Sequence, residues 1–474
     1  MGFLLDKIKY YLIYRKVCFY PPLAGLSFLY SLLVRNYLLK VGDYMLTVEQ
    51  INRLIGVDES FHASYRLMEV LKDEYERNKL FEDFLKLETD LSYDWFLNYY
   101  QSEHSDRKGK GQDFTPSEVA EITSKILGQG KSNLDMCSGV GGLTIKRYSD
   151  NPNQEFYCEE FSDRAIPFLL FNLSIRNIKG IVRHGDSLAR QFKAIYKIEK
   201  GDKFSTIEKI EENEEIKAET VIMNPPYSLK WSADEEHLKE DRFNQFERLA
   251  PKSKADYAFL LTGLHQLADD GKMAIILPHG VLFRGGAEGV IRQRLIELNL
   301  IESIIGLPGK VFYNTDIPTV IITLRKNKQN TDVLFIDASE EFEKVPPKNV
   351  LRENHINKIL ETYRNYTEMH SKNTEVDRFS KTITLEEIKE NDFNLNIPRY
   401  IDKFVEEYVP PLTDILKDMK KIDEEIELTQ LRFSKMASQL RAIDTEGNRE
   451  LKEFTKYLQS KRSIRGRGQI SFYD

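Results

Sequence analysis

"VIMNPPYSLKW" (residues 221–231) decides the fold. It opens as an apolar run and stops abruptly at Asn224-Pro225-Pro226-Tyr227. Proline donates no backbone hydrogen bond and fixes φ, so a strand that reaches Asn224 must end there with a stiff tip. An amide, a rigid proline pair and an aromatic ring are thereby held where a strand leaves its sheet. Taken alone, the tetrapeptide reads equally well as a β-turn with an exposed tyrosine.

Working outward, short apolar runs alternate with helical stretches: "NLDM", "EFYCEE", "IVRHGD", "TVIMN", "MAIILP", "IESIIGLP", "TVIITLRK" and "VLFIDAS". That alternation predicts a doubly wound, Rossmann-like α/β sheet, whose ligands bind at the carboxyl ends of its strands. The unusual residues fall at those ends. In "NLDMCSGVGGLTI" (133–145), Asp135 is followed by Gly139, Gly141 and Gly142, a turn with little side-chain bulk that can close over a ligand where a helix begins. Thr144 stands where a dinucleotide fingerprint wants a small residue, which disfavours a nicotinamide cofactor. "EFYCEE" ends in Glu159-Glu160, placed to accept both hydroxyls of a ribose, and "VRHGDSL" puts Asp186 where it can accept from an adenine amino group. Each acid alone is more simply a solvated strand end or a cap, but their ordered recurrence on successive strands points to a ligand.

Together these segments resemble the S-adenosylmethionine-dependent amino-methyltransferases of DNA, in the order that places the cofactor motifs before the catalytic one. "GQDFTPSEVAEI" (111–122) is similar to the leading cofactor motif, with Phe114, Thr115 and Pro116 in its positions. "DMCSGVGG" (135–142) resembles the glycine loop, with Cys137 and Ser138 one place early and the spacing from Asp135 to Gly142 kept. "NPPY" matches the catalytic motif residue for residue. The resemblance implies S-adenosylmethionine as cofactor, held by Phe114, Thr115, Pro116, Asp135, Gly139, Gly141, Gly142, Glu160 and Asp186, with catalysis at Asn224, Pro225, Pro226 and Tyr227. The amino nitrogen of adenine is a poor nucleophile because its lone pair is delocalised into the ring. The Asn224 side-chain oxygen and the Pro225 carbonyl are the expected acceptors for its protons, and Tyr227 the face on which the flipped base stacks. No metal is implied. The chain has no Pro-Cys dipeptide, which argues against covalent methylation at cytosine carbon 5.

Longer stretches narrow the substrate. "SKADYAFLLTGLHQLADDGKMAIILPHGVLFRGGAEGVIRQRLIE" (253–297), "LIESIIGLPGKVFYNTDIPTVIITLRK" (300–326) and "NDFNLNIPRYID" (391–402) resemble the modification subunit of type I restriction-modification systems. This implies duplex DNA with a flipped adenine as substrate. It also implies a separate specificity subunit, a second modification subunit and, where the system carries a nuclease, a restriction subunit. The other readings are a solitary DNA adenine methyltransferase, a methyltransferase for RNA or protein, and a catalytically silent assembly subunit.

At 474 residues, 41% hydrophobic and 30% charged, the chain is long enough for two or three domains. Its 68 basic and 75 acidic residues give a net charge of −7, so nucleic acid is not attracted to the protein as a whole and needs a local basic patch or a partner. Cys18, Cys137 and Cys158 are scattered, which argues against a disulfide framework or zinc site and fits a reducing cytoplasm. "VCFYPPLAGLSFLYSLLV" (17–34) is uncharged and reads literally as a short membrane segment. Pro21-Pro22 weakens that reading, and Thr47 with Gln50 after Met45 looks like a fresh capped start. Residues 1–44 are therefore expected to be an apolar leader rather than an anchor, with no stable membrane association. Residues 45–108 are expected to form a helical N-terminal domain ending in the polar hinge "HSDRKGKGQ" (104–112), and residues 109–403 the methyltransferase domain. From 404 to 474 leucines and isoleucines recur at helical spacing amid dense charge, predicting a long amphipathic helix and a basic tail "KRSIRGRGQ" (461–469) that is disordered when free.

Overall fold

The apolar run before Asn224 is buried on both sides of a sheet: Val221 and Met223 pack into the core on one face and Ile222 into the core on the other. The same alternation holds in the neighbouring strand, with Met273 and Ile275 on one face and Ala274 and Ile276 on the other. These runs read as continuous hydrophobics because neither face meets water. The computed structural model describes residues 46–103, 114–211, 215–312, 316–346, 348–369, 375–403, 410–442 and 444–464. Its strands, in chain order, are β1 (Ser132–Asp135), β2 (Glu155–Glu160), β3 (Gly180–Asp186), β4 (Gln191–Glu199), β5 (Thr206–Ile210), β6 (Ala218–Met223), β7 (Leu267–Pro278), β8 (Ile301–Gly306), β9 (Thr319–Arg325), β10 (Val333–Asp337), β11 (Glu343–Val345), β12 (Lys348–Val350) and β13 (Ser380–Ile383). All eight runs expected to be strands are strands.

Eleven strands form one sheet in the order β13-β10-β8-β9-β7-β6-β1-β2-β3-β4-β5. From β1 the chain steps outward through β2 and β3 on one side, then returns to place β6 and β7 on the other, all parallel. Strand order therefore reverses between β1 and β6, and the crevice outside their carboxyl ends is the switch point where such sheets bind ligands. β1 ends there at Asp135, and β6 ends one residue before Asn224. β9 runs antiparallel between β7 and β8. β4 and β5 extend the far edge as an antiparallel meander.

The helices before the sheet are α1 (Val48–Ile55), α2 (Ala63–Lys72), α3 (Glu74–Leu85) and α4 (Leu97–Glu103). α1 starts with the expected capping box: Gln50 N–H donates to Thr47 Oγ1 at 3.2 Å and Thr47 N–H to Gln50 Oε1 at 2.8 Å. These helices have no core of their own. Next come α5 (Ser117–Leu127), α6 (Gly142–Asp150) and α7 (Ile166–Ile175). Phe171 of α7 meets the rings of Phe81, Phe84 and Phe96 at centroid distances of 4.8, 4.8 and 5.0 Å. Residues through Lys403 accordingly form one compact unit, and the hinge expected at 104–112 lies outside the described residues. Beyond β6 lie α8 (Asp256–His265), α9 (Ala287–Glu297), α10 (Glu353–Met369) and α11 (Leu385–Glu390).

The second compact unit, Phe404–Asp474, holds α12 (Leu412–Gln439) and α13 (Thr445–Ile464). It is a two-helix hairpin rather than one long helix: Leu440 turns extended at φ −65°, ψ 147°, and the rings of Phe433 and Phe454 meet 6.4 Å apart. The first residues of the basic tail, 461–464, belong to the last turn of α13 rather than to a disordered end. The apolar segment 17–34 lies outside the described residues; among those described, no helix is long and apolar enough to cross a membrane.

Candidate active site

A cavity of about 350 Å³ opens at the carboxyl ends of β1, β2, β3 and β6, within the range of small-molecule sites. Of the residues predicted from sequence, Phe114, Thr115, Gly139, Gly142, Glu160, Asp186, Asn224 and Pro226 form its wall. Tyr100, Phe161, Leu188, Trp231, His237 and Phe259 also line it and were not anticipated.

The glycine loop is bent by backbone conformations that side chains resist. Gly139 has φ +54° and Gly141 φ +103°. The turn is fastened by Glu160, whose Oε2 accepts from Gly139 N–H at 2.8 Å and whose Oε1 accepts from Ser162 N–H at 2.6 Å. α6 starts at Gly142, where a Cβ would meet no atom within 4 Å. Three predicted ligand residues lie outside the wall. Asp135 is wholly buried beneath the loop, where its Oδ2 accepts from Thr144 Oγ1 at 2.9 Å, and burial pushes its carboxyl up to about 7. Thr144, the residue that broke the dinucleotide pattern, is thus the partner of that buried acid. A Cβ at Gly141 would lie 3.1 Å from Leu169, so this glycine lets the loop pack closely on α7. Pro116 likewise lies outside the wall, at the N-cap of α5.

Strand alternation separates the acidic pair at the end of β2. Glu159 is fully buried and paired with Arg183 and Arg190, while Glu160 faces the cavity. At the end of β3, Asp186 Oδ1 accepts from Leu188 N–H at 2.8 Å and Ala189 N–H at 2.9 Å, turning those residues into the wall. Burial, with the surrounding carboxylates next, raises the Cys137 thiol well above its usual range, which keeps it protonated.

At the tip of β6 the Asn224 amide is held at both ends. Its Nδ2 donates to Thr115 Oγ1 at 3.0 Å, and its Oδ1 accepts from Tyr227 Oη at 2.8 Å. Pro225 is buried and Pro226 faces the cavity. Tyr227 lies outside the cavity's wall: its ring meets Phe312 edge-on at 6.1 Å and 74°, and its hydroxyl donates to Asn224 Oδ1. The aromatic side chains on the wall are Tyr100, Phe114, Phe161, Trp231, His237 and Phe259. Trp231 stacks on His237 at 5.6 Å and 23°. The available signal was a tryptophan, one of two in the chain, four residues after the motif. Among the described residues no group of three or more His, Cys, Asp or Glu side chains is placed to hold a metal.

The sequence profile of the N-6 DNA methylase family matches residues 89–408. The type I restriction enzyme MjaVII methylase subunit of Methanocaldococcus jannaschii is 30% identical over 414 residues, 82% of this chain and 66% of that protein. The MpnII methylase subunit of Mycoplasma pneumoniae is 29% identical over 347 residues, 70% of this chain and 59% of that protein. The chain thus spans 59–66% of the length of these curated relatives. Among solved structures, the type I restriction-modification methyltransferase subunit from Streptococcus thermophilus superposes with a TM-score of 0.57 at 31% identity, covering 77% of this chain and 83% of that one. With the profile spanning the sheet, the glycine loop and the Asn-Pro-Pro-Tyr tip alike, the chain belongs to the N-6 DNA methylase family.

Proposed function

We propose that this chain transfers a methyl group from S-adenosylmethionine to the N6 amino group of adenine in duplex DNA, as the modification subunit of a type I restriction-modification system. The observation that carries the reading is the doubly held Asn224 amide on the wall of the same cavity as Glu160 and the glycine loop. Thr115 and Tyr227 hold the amide at both ends, so its position is set before an amino group arrives. With the Pro225 carbonyl as second acceptor, the amino nitrogen is drawn toward a tetrahedral form and its lone pair freed from the ring. The cavity suits the cofactor: the Glu160 carboxylate can accept from ribose hydroxyls, Leu188 and Phe161 offer apolar surface to a purine, and the bare backbone at Gly142 leaves room at the start of α6. When bound, S-adenosylmethionine supplies an electrophilic methyl carbon. The base must leave the duplex to enter so enclosed a site, and the wall's aromatic rings are its stacking surfaces.

Sequence selection comes from a separate specificity subunit. The net charge of −7 disfavours tight, unaided binding of DNA, and the exposed Leu416, Met419 and Ile422 of α12 suit a helical partner. The test is tritium transfer from labelled cofactor to DNA, RNA and protein, with and without the specificity protein. DNA alone should be labelled, slowly and without a defined motif at first, and faster at one motif once the partner is added. Labelling of RNA or protein instead, or efficient methylation of one motif by the isolated chain, overturns the corresponding part of the reading.

A further inference from the structure

The stretch "HGVLFRGGAEG" (279–289) takes no part in the cavity wall, yet its Arg284 reaches the catalytic strand tip through a single carboxylate. Ser228, directly after Tyr227, sits at φ +54°, a left-handed conformation that costs a residue with a side chain about 1–2 kcal/mol and persists only where its surroundings enforce it. Its N–H donates to Asp256 Oδ1 at 2.8 Å. Asp256 is fully buried at the start of α8, and its Oδ2 accepts from Arg284 Nη1 at 3.1 Å. The same nitrogen donates to Glu288 Oε1 at 2.8 Å.

Arg284 is itself clamped. Its carbonyl accepts from Arg292 Nη1 at 2.9 Å, a nitrogen that also donates to Val281 O at 3.1 Å, and Tyr257 Oη donates to Val281 O at 2.9 Å. A Cβ at Gly280 would lie 2.7 Å from Arg284 Nε, so the guanidinium lies against bare backbone. Buried ion pairs contribute little net stability once desolvation is counted, so an interior Arg–Asp pair at this point is better explained by orientation than by stability.

We propose that Arg284 and Asp256 are positioning residues for methyl transfer: the ion pair fixes the Asp256 carboxylate, which holds Ser228 N–H and with it the exit of the Asn-Pro-Pro-Tyr turn. Asn224 and Pro225 then keep one convergent geometry through each turnover. The inference rests on the reading of Asn224 as the amino-group acceptor, but the tether can be measured without turnover.

The experiment compares the full chain with Arg284→Gln and Arg284→Lys. It measures amide hydrogen exchange in peptide 224–231 with peptide 267–277 as control, together with single-turnover methylation of DNA and the dissociation constant for S-adenosylmethionine. In Arg284→Gln, exchange of peptide 224–231 should rise about tenfold or more while the β7 peptide is unchanged. The transfer rate should fall about 10- to 100-fold with cofactor affinity kept within about twofold. Arg284→Lys should recover part of both effects, and it carries the test if the glutamine variant does not fold. Unchanged exchange of peptide 224–231, or equal losses in both peptides and in cofactor affinity, overturns the proposal in favour of a packing role. If the wild-type chain labels no DNA, the functional reading fails while the exchange comparison still decides the tether.

Discussion

The hydroxyl of Tyr227 lies 2.8 Å from the side-chain oxygen of Asn224 and donates to it, so the tyrosine of the motif acts on the Asn224 amide through its oxygen. Tyr227→Phe keeps the ring against Phe312 and removes only that donor. A neutral hydrogen bond contributes about 1 kcal/mol, so the single-turnover rate should fall about 5- to 10-fold with little change in thermal stability. A phenylalanine variant as fast as wild type would leave the hydroxyl without a role.

Asn224→Ala should lower methyl transfer by about two to three orders of magnitude, the usual cost of losing one preorganised electrostatic partner. The dissociation constant for S-adenosylmethionine, measured by calorimetry, should stay near the wild-type value. A parallel loss of cofactor affinity would mean that the tip of β6 has been misassigned.

Glu160 fastens the glycine loop and faces the cavity at once. Glu160→Gln keeps an acceptor for Gly139 N–H and removes the charge offered to the ligand, but it sets an amide NH2 against Ser162 N–H, so thermal stability is measured alongside. A hydrogen bond to a charged group contributes about 1.5–3 kcal/mol, so the cofactor dissociation constant should rise roughly 10- to 100-fold. An unchanged constant rules out a ribose-binding role.

The buried Asp135 carboxyl predicts a pH dependence of stability. Its ordinary value is 3.8 and its value beneath the loop is about 7, so between the two the folded protein holds a proton that the unfolded chain has released. Stability from this group is fully present below about 4 and is lost as pH rises through about 7. Asp94, pushed up to about 6 by burial, adds a slope of the same sign over an overlapping window. Urea midpoints for Asp135→Asn should therefore fall less steeply than wild type between pH 4 and 7, most clearly from about 6 to 7. Identical slopes would remove Asp135 as the source.

Phe171→Ala tests the union of the N-terminal helices with the sheet. Emptying a site bounded by Phe81, Phe84 and Phe96 should cost about 3–5 kcal/mol in a single cooperative transition. Two separated transitions would show that the helices fold on their own.

The eight central apolar runs were readable because burial on both faces leaves a sequence no choice but to be apolar throughout. β4 and β5 escaped: "QFKAIYKIE" and "TIEKI" lie at the sheet edge, where exposed charged positions interrupt the buried ones. Asn224 and Glu160 were legible at strand ends, where position alone brings a side chain to the crevice. The directions of Tyr227 and Asp135 were not, because they depend on how loops close, through Gly139 and Gly141 in one case and the left-handed Ser228 in the other. Trp231 reaches the wall only by the folding of the segment after the motif, whose backbone pairs Trp231 N–H with Lys252 O.

The bond between Thr115 and Asn224 spans 109 residues of chain. Thr115 comes in just ahead of α5, Asn224 directly follows β6, which pairs with β1, and both stand on one wall. The site is therefore indivisible along the sequence. A nascent chain that has emerged as far as β5 already carries its glycine loop, but the amide that completes the wall has yet to appear. Phe114, Thr115, Glu160 and Asp186 have emerged by then as well, so the Asn224 amide joins a wall whose other predicted residues, Pro226 apart, are already made.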